Sequence, residues 1–185
     1  MKKRALYVAA ATITAAAVVM QGGPASAADG GGATSAVTAT ITAGAIGSRS
    51  ITAASPIAMT SSLDSTSLSG SLTATVTEAA RSGTNPWSVT ATMSDLTNVA
   101  TDVLSKANMA VSGRSVIKTA GGGTAAAPAG SSNLDAAVTL FSTTGQSAGV
   151  VYTGSYASSS TWTLAVPNAT ATGVYSGTVT LTLVQ

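Results

Sequence analysis

Apolar residues recur at every second position along much of the chain. The alternation is clearest at 37–41, 68–76, 87–93, 162–166 and 175–183, where the positions in between are nearly always Thr or Ser. A period of two is typical of strands that bury one face and expose the other, and Thr favours strands because it is branched at Cβ. Since no long amphipathic helix interrupts the pattern, the sequence predicts an all-β fold, an antiparallel β-sandwich.

Segments that contain Gly and Pro divide the chain between these strands. Residues 81–86 and 167–173 are predicted to connect neighbouring strands. Residues 28–33 are rich in Gly and form a predicted flexible leader, whereas 119–133 is a Gly/Ala/Ser-rich segment that is predicted to be a mobile loop. The sandwich domain is therefore expected to span 34–185.

The first 27 residues have the three parts of a secretory signal peptide. A basic start at 2–4 precedes an uncharged, mostly apolar run over 5–20, and Ala25 and Ala27 supply the small residues at which signal peptidase cleaves. The apolar run is shorter than the roughly 20 residues that span a bilayer. The sequence predicts cleavage after Ala27 and a secreted protein, extracellular or associated with the cell wall, with no membrane span in its mature form.

Composition and charge exclude several classes of function. The 185 residues include no Cys and no His, which rules out disulfides, imidazole or thiolate metal ligands and Ser–His–Asp catalysis. The signal holds three of the eight basic residues and none of the six acidic ones, so the net charge of +2 becomes −1 after cleavage. This balance does not favour nucleic acid as a partner.

The six acidic residues are widely scattered along the chain. Their spacing predicts neither the facing carboxylates of a glycosidase nor a calcium loop. We therefore expect a protein that is not an enzyme and has no cofactor and no metal.

Two segments carry motifs that occur together in one protein family. The residues concerned are Glu78, Arg81, Trp87, Val89 and Asp95 within 76–96, and Trp162, Leu164, Pro167, Gly173, Tyr175 and Gly177 within 162–183. In this order they resemble the WxL domain, an exported cell-surface module of Gram-positive bacteria. The resemblance covers most of 34–185. It implies an immunoglobulin-like sandwich that associates non-covalently with the cell wall, with peptidoglycan or another cell-surface protein as its partner.

Four aromatic residues are candidate contacts for sugar rings. Trp87 and Trp162 occupy the apolar phase of their strands, which favours a place in the core over a binding role. Tyr152 and Tyr156 flank Gly154 in a segment with few apolar residues, so they are the better candidates if they are exposed.

Three polar or aromatic side chains have predicted structural roles. Glu78 and Arg81 lie on either side of one turn and are expected to pair across it. Asp95 follows a strand and is expected to form an Asx-type turn. Tyr175 shares the apolar phase of its strand, so its ring is expected in the core.

Two functions remain open at this point. One is a non-catalytic module that binds the wall or another surface protein. The alternative is a structural protein that self-associates into a surface layer or fibre by strand addition, through the nearly uncharged segments 37–42 or 177–183.

Overall fold

The alternating segments form strands in the structure, a computed structural model. It describes residues 10–13, 34–44, 49–53, 57–61, 66–82, 86–120, 123–144, 151–167, 170 and 174–184. One 3₁₀ helix covers Lys106–Asn108. The strands are β1 (Ala10–Ile13), β2 (Thr34–Gly44), β3 (Arg49–Ala53), β4 (Ile57–Ala58), β5 (Thr60–Ser61), β6 (Ser67–Ser82), β7 (Ser88–Met93), β8 (Leu96–Thr97), β9 (Val103–Leu104), β10 (Met109–Ala120), β11 (Thr124–Ala126), β12 (Ser132–Asn133), β13 (Val138–Thr144), β14 (Val151–Ala165) and β15 (Val174–Val184).

These strands form two sheets that pack against each other. The first sheet has the order β1-β2-β15-β7-β13-β11, with β4 beside β2 and the short β8 and β9 continuing from β15. The second has the order β12-β10-β14-β6-β3, with β5 beside β6. All pairings are antiparallel except β2 with β15, which is parallel. The predicted all-β sandwich is confirmed, and its immunoglobulin-like character stays a prediction.

The core lies between the inner faces of the two sheets. Along β6, Leu68, Leu72, Ala74 and Val76 are buried while the residues between them point outward. The same alternation holds on β7 and β15, so the period of two in the sequence does separate core from surface. Each fully buried large apolar side chain contributes roughly 1.5–3 kcal/mol through its removal from water.

Two strands of the sandwich depart from the period of two because a bulge in each strand shifts the alternation of inward and outward side chains. In β13 the register slips between Thr139 and Phe141, so that Leu140 and Phe141 are both buried. In β10 the register slips between Ser112 and Ser115, where Gly113 has a φ of 55°. A bulge with an αL glycine adds one residue and reverses the alternation beyond it. These two strands were therefore not visible as alternating segments.

The segment 119–133 is not a continuous loop, and that prediction is wrong. β10 runs to Ala120, β11 pairs with β13, and β12 pairs with β10. The guanidinium of Arg114 holds the connection between β11 and β12, because it donates hydrogen bonds to the carbonyl oxygens of Pro128 (3.2 Å) and Gly130 (3.2 Å) and to the Oγ of Ser132 (3.1 Å). One side chain thus adds polar contacts to the apolar ones that Ala125 and Ala127 make with the core.

Gly177 is required by close packing against the turn between β7 and β8. A Cβ at this position would lie 2.7 Å from Cδ2 of Leu96 and 3.1 Å from the backbone oxygen of Asp95. The Oγ of Ser94 accepts a hydrogen bond from the amide of Thr178 at 2.9 Å in the same place. Only glycine lets β15 approach the turn this closely, which explains a residue that the sequence singled out as part of a motif.

Candidate functional site

A buried polar and aromatic cluster joins the two sheets beside the edge strand β3. It consists of Arg49 on β3, Glu78 on β6, Tyr156 on β14 and Trp87 just before β7. Nε and Nη2 of Arg49 donate to Oε1 of Glu78 at 3.0 and 2.8 Å, and the hydroxyl of Tyr156 donates to Oε2 at 3.4 Å. The two charged side chains are only 3 % and 0 % exposed. The antiparallel pairing places Arg49 directly opposite Glu78, so the sheet register itself forms the ion pair.

Trp87, which directly precedes β7 of the opposite sheet, packs against this cluster. The guanidinium carbon of Arg49 lies 5.1 Å from the centroid of the indole ring, within the range of a cation–π contact. Tyr156 and Phe141 contact the same ring edge-on, with centroid distances of 5.1 and 5.6 Å. The backbone of Trp87 pairs with Thr143, whose amide donates to its carbonyl oxygen at 2.8 Å. The cluster therefore anchors both sheets.

The structure removes three of the four aromatic residues from the list of sugar contacts. Trp87 is 3 % exposed, and Tyr156 and Trp162 are 0 % exposed. Trp162 donates its indole N–H to the buried Oγ of Ser160 at 2.9 Å, which satisfies it inside the core. A buried ring offers no face to a glycan at the surface, so the binding role predicted for these three residues is wrong. The side chain of Tyr152 lies outside the described part of the structure.

The acidic residues that the structure describes do not converge on a catalytic or metal site. Glu78 pairs with Arg49, while the side chain of Arg81, its predicted partner, lies outside the described part of the structure. Asp95 accepts a hydrogen bond from the amide of Lys106 at 2.9 Å and thereby stabilises the start of the 3₁₀ helix. It does not form the expected Asx turn. Asp102 bonds to Asn98, and Asp135 to the amide of Ala136. Within the described residues no three potential metal ligands cluster together.

Among the other motif residues, several occupy the core and others lie outside it. Val89 and Leu164 are fully buried, and Tyr175 is buried as its phase predicted. Pro167 is exposed at the end of β14, where its carbonyl accepts from the amide of Thr170 at 2.9 Å. Ala25, Ala27 and Gly173 lie outside the described residues.

On the outer face of the second sheet, the described side chains form a broad, uncharged surface of hydroxyl groups. Cross-strand rows such as Ser115–Ser159–Thr73 and Ser112–Thr161–Ser71 run across β10, β14 and β6. We call this surface the serine–threonine face. Its described members are Ser50, Thr52, Ser69, Ser71, Thr73, Thr75, Thr77, Ser112, Ser115, Ser155, Ser159, Thr161 and Thr163. Ile117, 66 % exposed, is its one large apolar side chain among the described positions.

The outer face of the first sheet is also uncharged but carries mainly threonine. Thr178, Thr180 and Thr182 alternate with the buried Val179 and Leu181 on β15. Thr90 and Thr92 on β7 pair with Thr182 and Thr180, and Thr139 on β13 pairs with Thr90. We call these six residues the threonine grid. Sequence reasoning identified the threonines as surface positions, but only the register shows that they form rows.

The buried ion pair makes a stability prediction. Replacing Glu78 with Ala leaves the guanidinium of Arg49 buried without its carboxylate, which costs about 3–5 kcal/mol. We expect the free energy of unfolding from urea titration to fall by that amount. The neighbouring exposed change Thr77→Val is the control and should stay within about 0.5 kcal/mol of the wild type. Equal losses in the two variants would show that the pair contributes no more to stability than an exposed position does.

The environment of the Tyr175 phenol predicts that the protein loses stability at alkaline pH. Burial and the nearby Asp102 carboxylate raise the pKa of its phenol, and a hydrogen bond with Asn98 offsets this in part. The unfolded phenol titrates near pH 10, so the folded chain retains this proton at a pH where the unfolded chain has lost it. Stability must therefore fall as the pH rises above about 10.

We expect the replacement Tyr175→Phe to reduce this alkaline fall. At neutral pH the free energy of unfolding of the variant should be about 1 kcal/mol lower, because the hydrogen bond of the hydroxyl is lost. As the pH is raised, the urea midpoints of the variant and the wild type should converge. Curves that stay parallel throughout would contradict the assignment.

Comparison of the chain with family models, curated proteins and solved structures found no match. The resemblance of 76–96 and 162–183 to WxL domains therefore stays a hypothesis. No helix within the described residues has the length and apolar character needed to cross a bilayer. Evidence about function thus comes from the outer faces and edges of the sandwich.

Proposed function

We propose that the protein is a secreted, non-catalytic module of the Gram-positive cell surface that associates non-covalently with the glycan of the cell wall. The observation that carries the proposal is the serine–threonine face. Its described members present hydroxyl groups from four neighbouring strands without a charged side chain among them. The signal-like N-terminus and the resemblance to WxL domains point to the same compartment.

The chemistry of the serine–threonine face suits a neutral, hydroxyl-rich polymer. A hydroxyl group has one donor and two acceptor sites and rotates to suit its partner. Serine makes up about half of the face, and its unbranched side chain adapts to partners whose groups are irregularly spaced. Ile117 and the partly exposed Ala157 beside it supply a small apolar area for the C–H groups of a sugar ring.

A pull-down of the secreted protein on purified peptidoglycan tests this function. We expect retention that falls by about tenfold, equivalent to about 1.4 kcal/mol, when Thr73→Lys places a long, hydrated side chain at the centre of the face. Thr180→Lys on the opposite sheet is the matched control and should bind as the wild type does. Retention no better than that of an unrelated sandwich protein, or equal loss in the two variants, would exclude the proposal.

Self-association by strand addition is the second candidate, and the structure changes where it would occur. β15 is flanked by β2 and β7 along the segment 177–183, so that part of the earlier prediction is wrong. The outer edge of β2 remains available for strand addition. On its outer side the described strands pair only with Ala36–Val37 and Ile41–Gly44.

The strand that covers Ile41–Gly44 is β1, which lies inside the predicted signal peptide. Cleavage after Ala27 would remove β1 and leave a longer stretch of β2 with open hydrogen-bonding groups, a template for pairing with another chain. The described edges of the second sheet are protected. β3 has only five residues, and β10, which β12 covers only at Ala110–Val111, carries a bulge and the charged Arg114 and Lys118.

Sedimentation of the secreted protein over a range of concentrations tests strand addition. We expect association that a synthetic peptide with the sequence of residues 8–15 reverses, because it restores the pairing of β1 with β2. A scrambled peptide of the same composition is the control and should have no effect. A single monomeric species at all concentrations would contradict this candidate.

A further inference from the structure

We propose that the threonine grid binds the surface of ice crystals. The proposal concerns a different face from the one assigned to the cell wall, and it does not depend on wall binding. It starts from the geometry of the six threonines on β7, β13 and β15. Two complete rows, Thr180–Thr92 and Thr182–Thr90–Thr139, run perpendicular to the strands.

The grid is periodic in two dimensions. Neighbouring strands lie about 4.8 Å apart, and residues two positions apart on one strand about 6.7 Å apart. Backbone pairing extends the same register to β2, where Thr38 and Thr40 stand opposite Thr178 and Thr180. The oxygen atoms on the prism faces of ice also form a planar lattice, with repeats close to these two spacings. A single glycan or polypeptide chain is periodic along one direction only.

The side-chain chemistry of the grid also fits an ordered lattice of water. Threonine is stiff at χ1 because it is branched at Cβ, so the hydroxyl groups are held in place before binding and little conformational entropy is lost. Its methyl group fills the space between hydroxyls. The serine–threonine face of the second sheet lacks this uniformity, because more than half of its described hydroxyls are on flexible serine.

Charge and composition argue against other occupants of the grid. Among the described residues no charged side chain projects from the grid. The guanidinium of Arg114 lies at its edge, where it donates to the backbone oxygen of Thr139 at 3.2 Å. Protein interfaces are enriched in aromatic residues, Met and Arg and depleted in Ser, and the described outward positions of β7, β13 and β15 have none of the enriched types. A neutral grid is complementary to the neutral surface of ice.

Partition of the purified, full secreted protein into slowly growing ice tests the proposal, together with its inhibition of ice recrystallisation. We expect the wild type to be enriched in the ice fraction. Thr180→Lys places a strongly hydrated ammonium group in the middle of the grid and should raise the concentration needed to inhibit recrystallisation by about tenfold. Thr73→Lys, the same change on the opposite face, should leave it unchanged.

The paired variants separate this proposal from wall binding. Loss of ice activity in Thr180→Lys with peptidoglycan retention intact supports the grid as an ice-binding surface, provided that circular dichroism and the urea midpoint show both variants folded. No enrichment of the wild type in ice would overturn the proposal. Equal loss in both variants, or binding of the grid to insoluble crystalline polysaccharide but not to ice, would overturn it as well.

Discussion

The buried ion pair between Arg49 and Glu78 is the interaction on which the arrangement of the two sheets depends. Removing both charges from water costs several kcal/mol each, and only close, hydrogen-bonded geometry offsets it. That geometry requires β3, β6 and β14 to be in their observed register, because Tyr156 on β14 supplies the third contact. The ring of Trp87 then ties the pair to the opposite sheet. A slip of one residue in β6 would turn Glu78 outward and remove its carboxylate from the buried guanidinium of Arg49.

The distribution of charge in the rest of the molecule is the reverse of the usual one. The outer faces of both sheets carry hydroxyl groups, while the charged side chains that the structure describes lie in the core, in turns, in the 3₁₀ helix or on β10. Without charges on its faces the protein depends on other means to prevent association, such as the bulge at Gly113 and the position of Lys118 on β10. The same absence of charge leaves two broad surfaces free to contact neutral partners.

Much of the fold could be predicted from the alternation of apolar residues, and the exceptions have clear causes. β6, β7 and β15 keep a strict period of two, and their predicted faces agree with the observed burial. β10 and β13 were missed because bulges reverse the phase within each strand. The first half of β14 was missed because Ser158 and Ser160 face inward, where Ser160 accepts the hydrogen bond of Trp162. A polar residue with a buried partner looks like a surface residue in the sequence.

The sequence by itself determined the all-β class, the inward and outward faces of the regular strands and the absence of thiol and imidazole chemistry. These follow from local properties: the pleat of a strand fixes which side chains share a face, and residue types that are absent have no role. The tertiary structure decided which residues meet. Arg49 and Glu78 are 29 positions apart, and the rows of the threonine grid join residues up to 92 positions apart. Sheet order and register bring them together, and both depend on packing across the whole core, which no local pattern in the chain encodes.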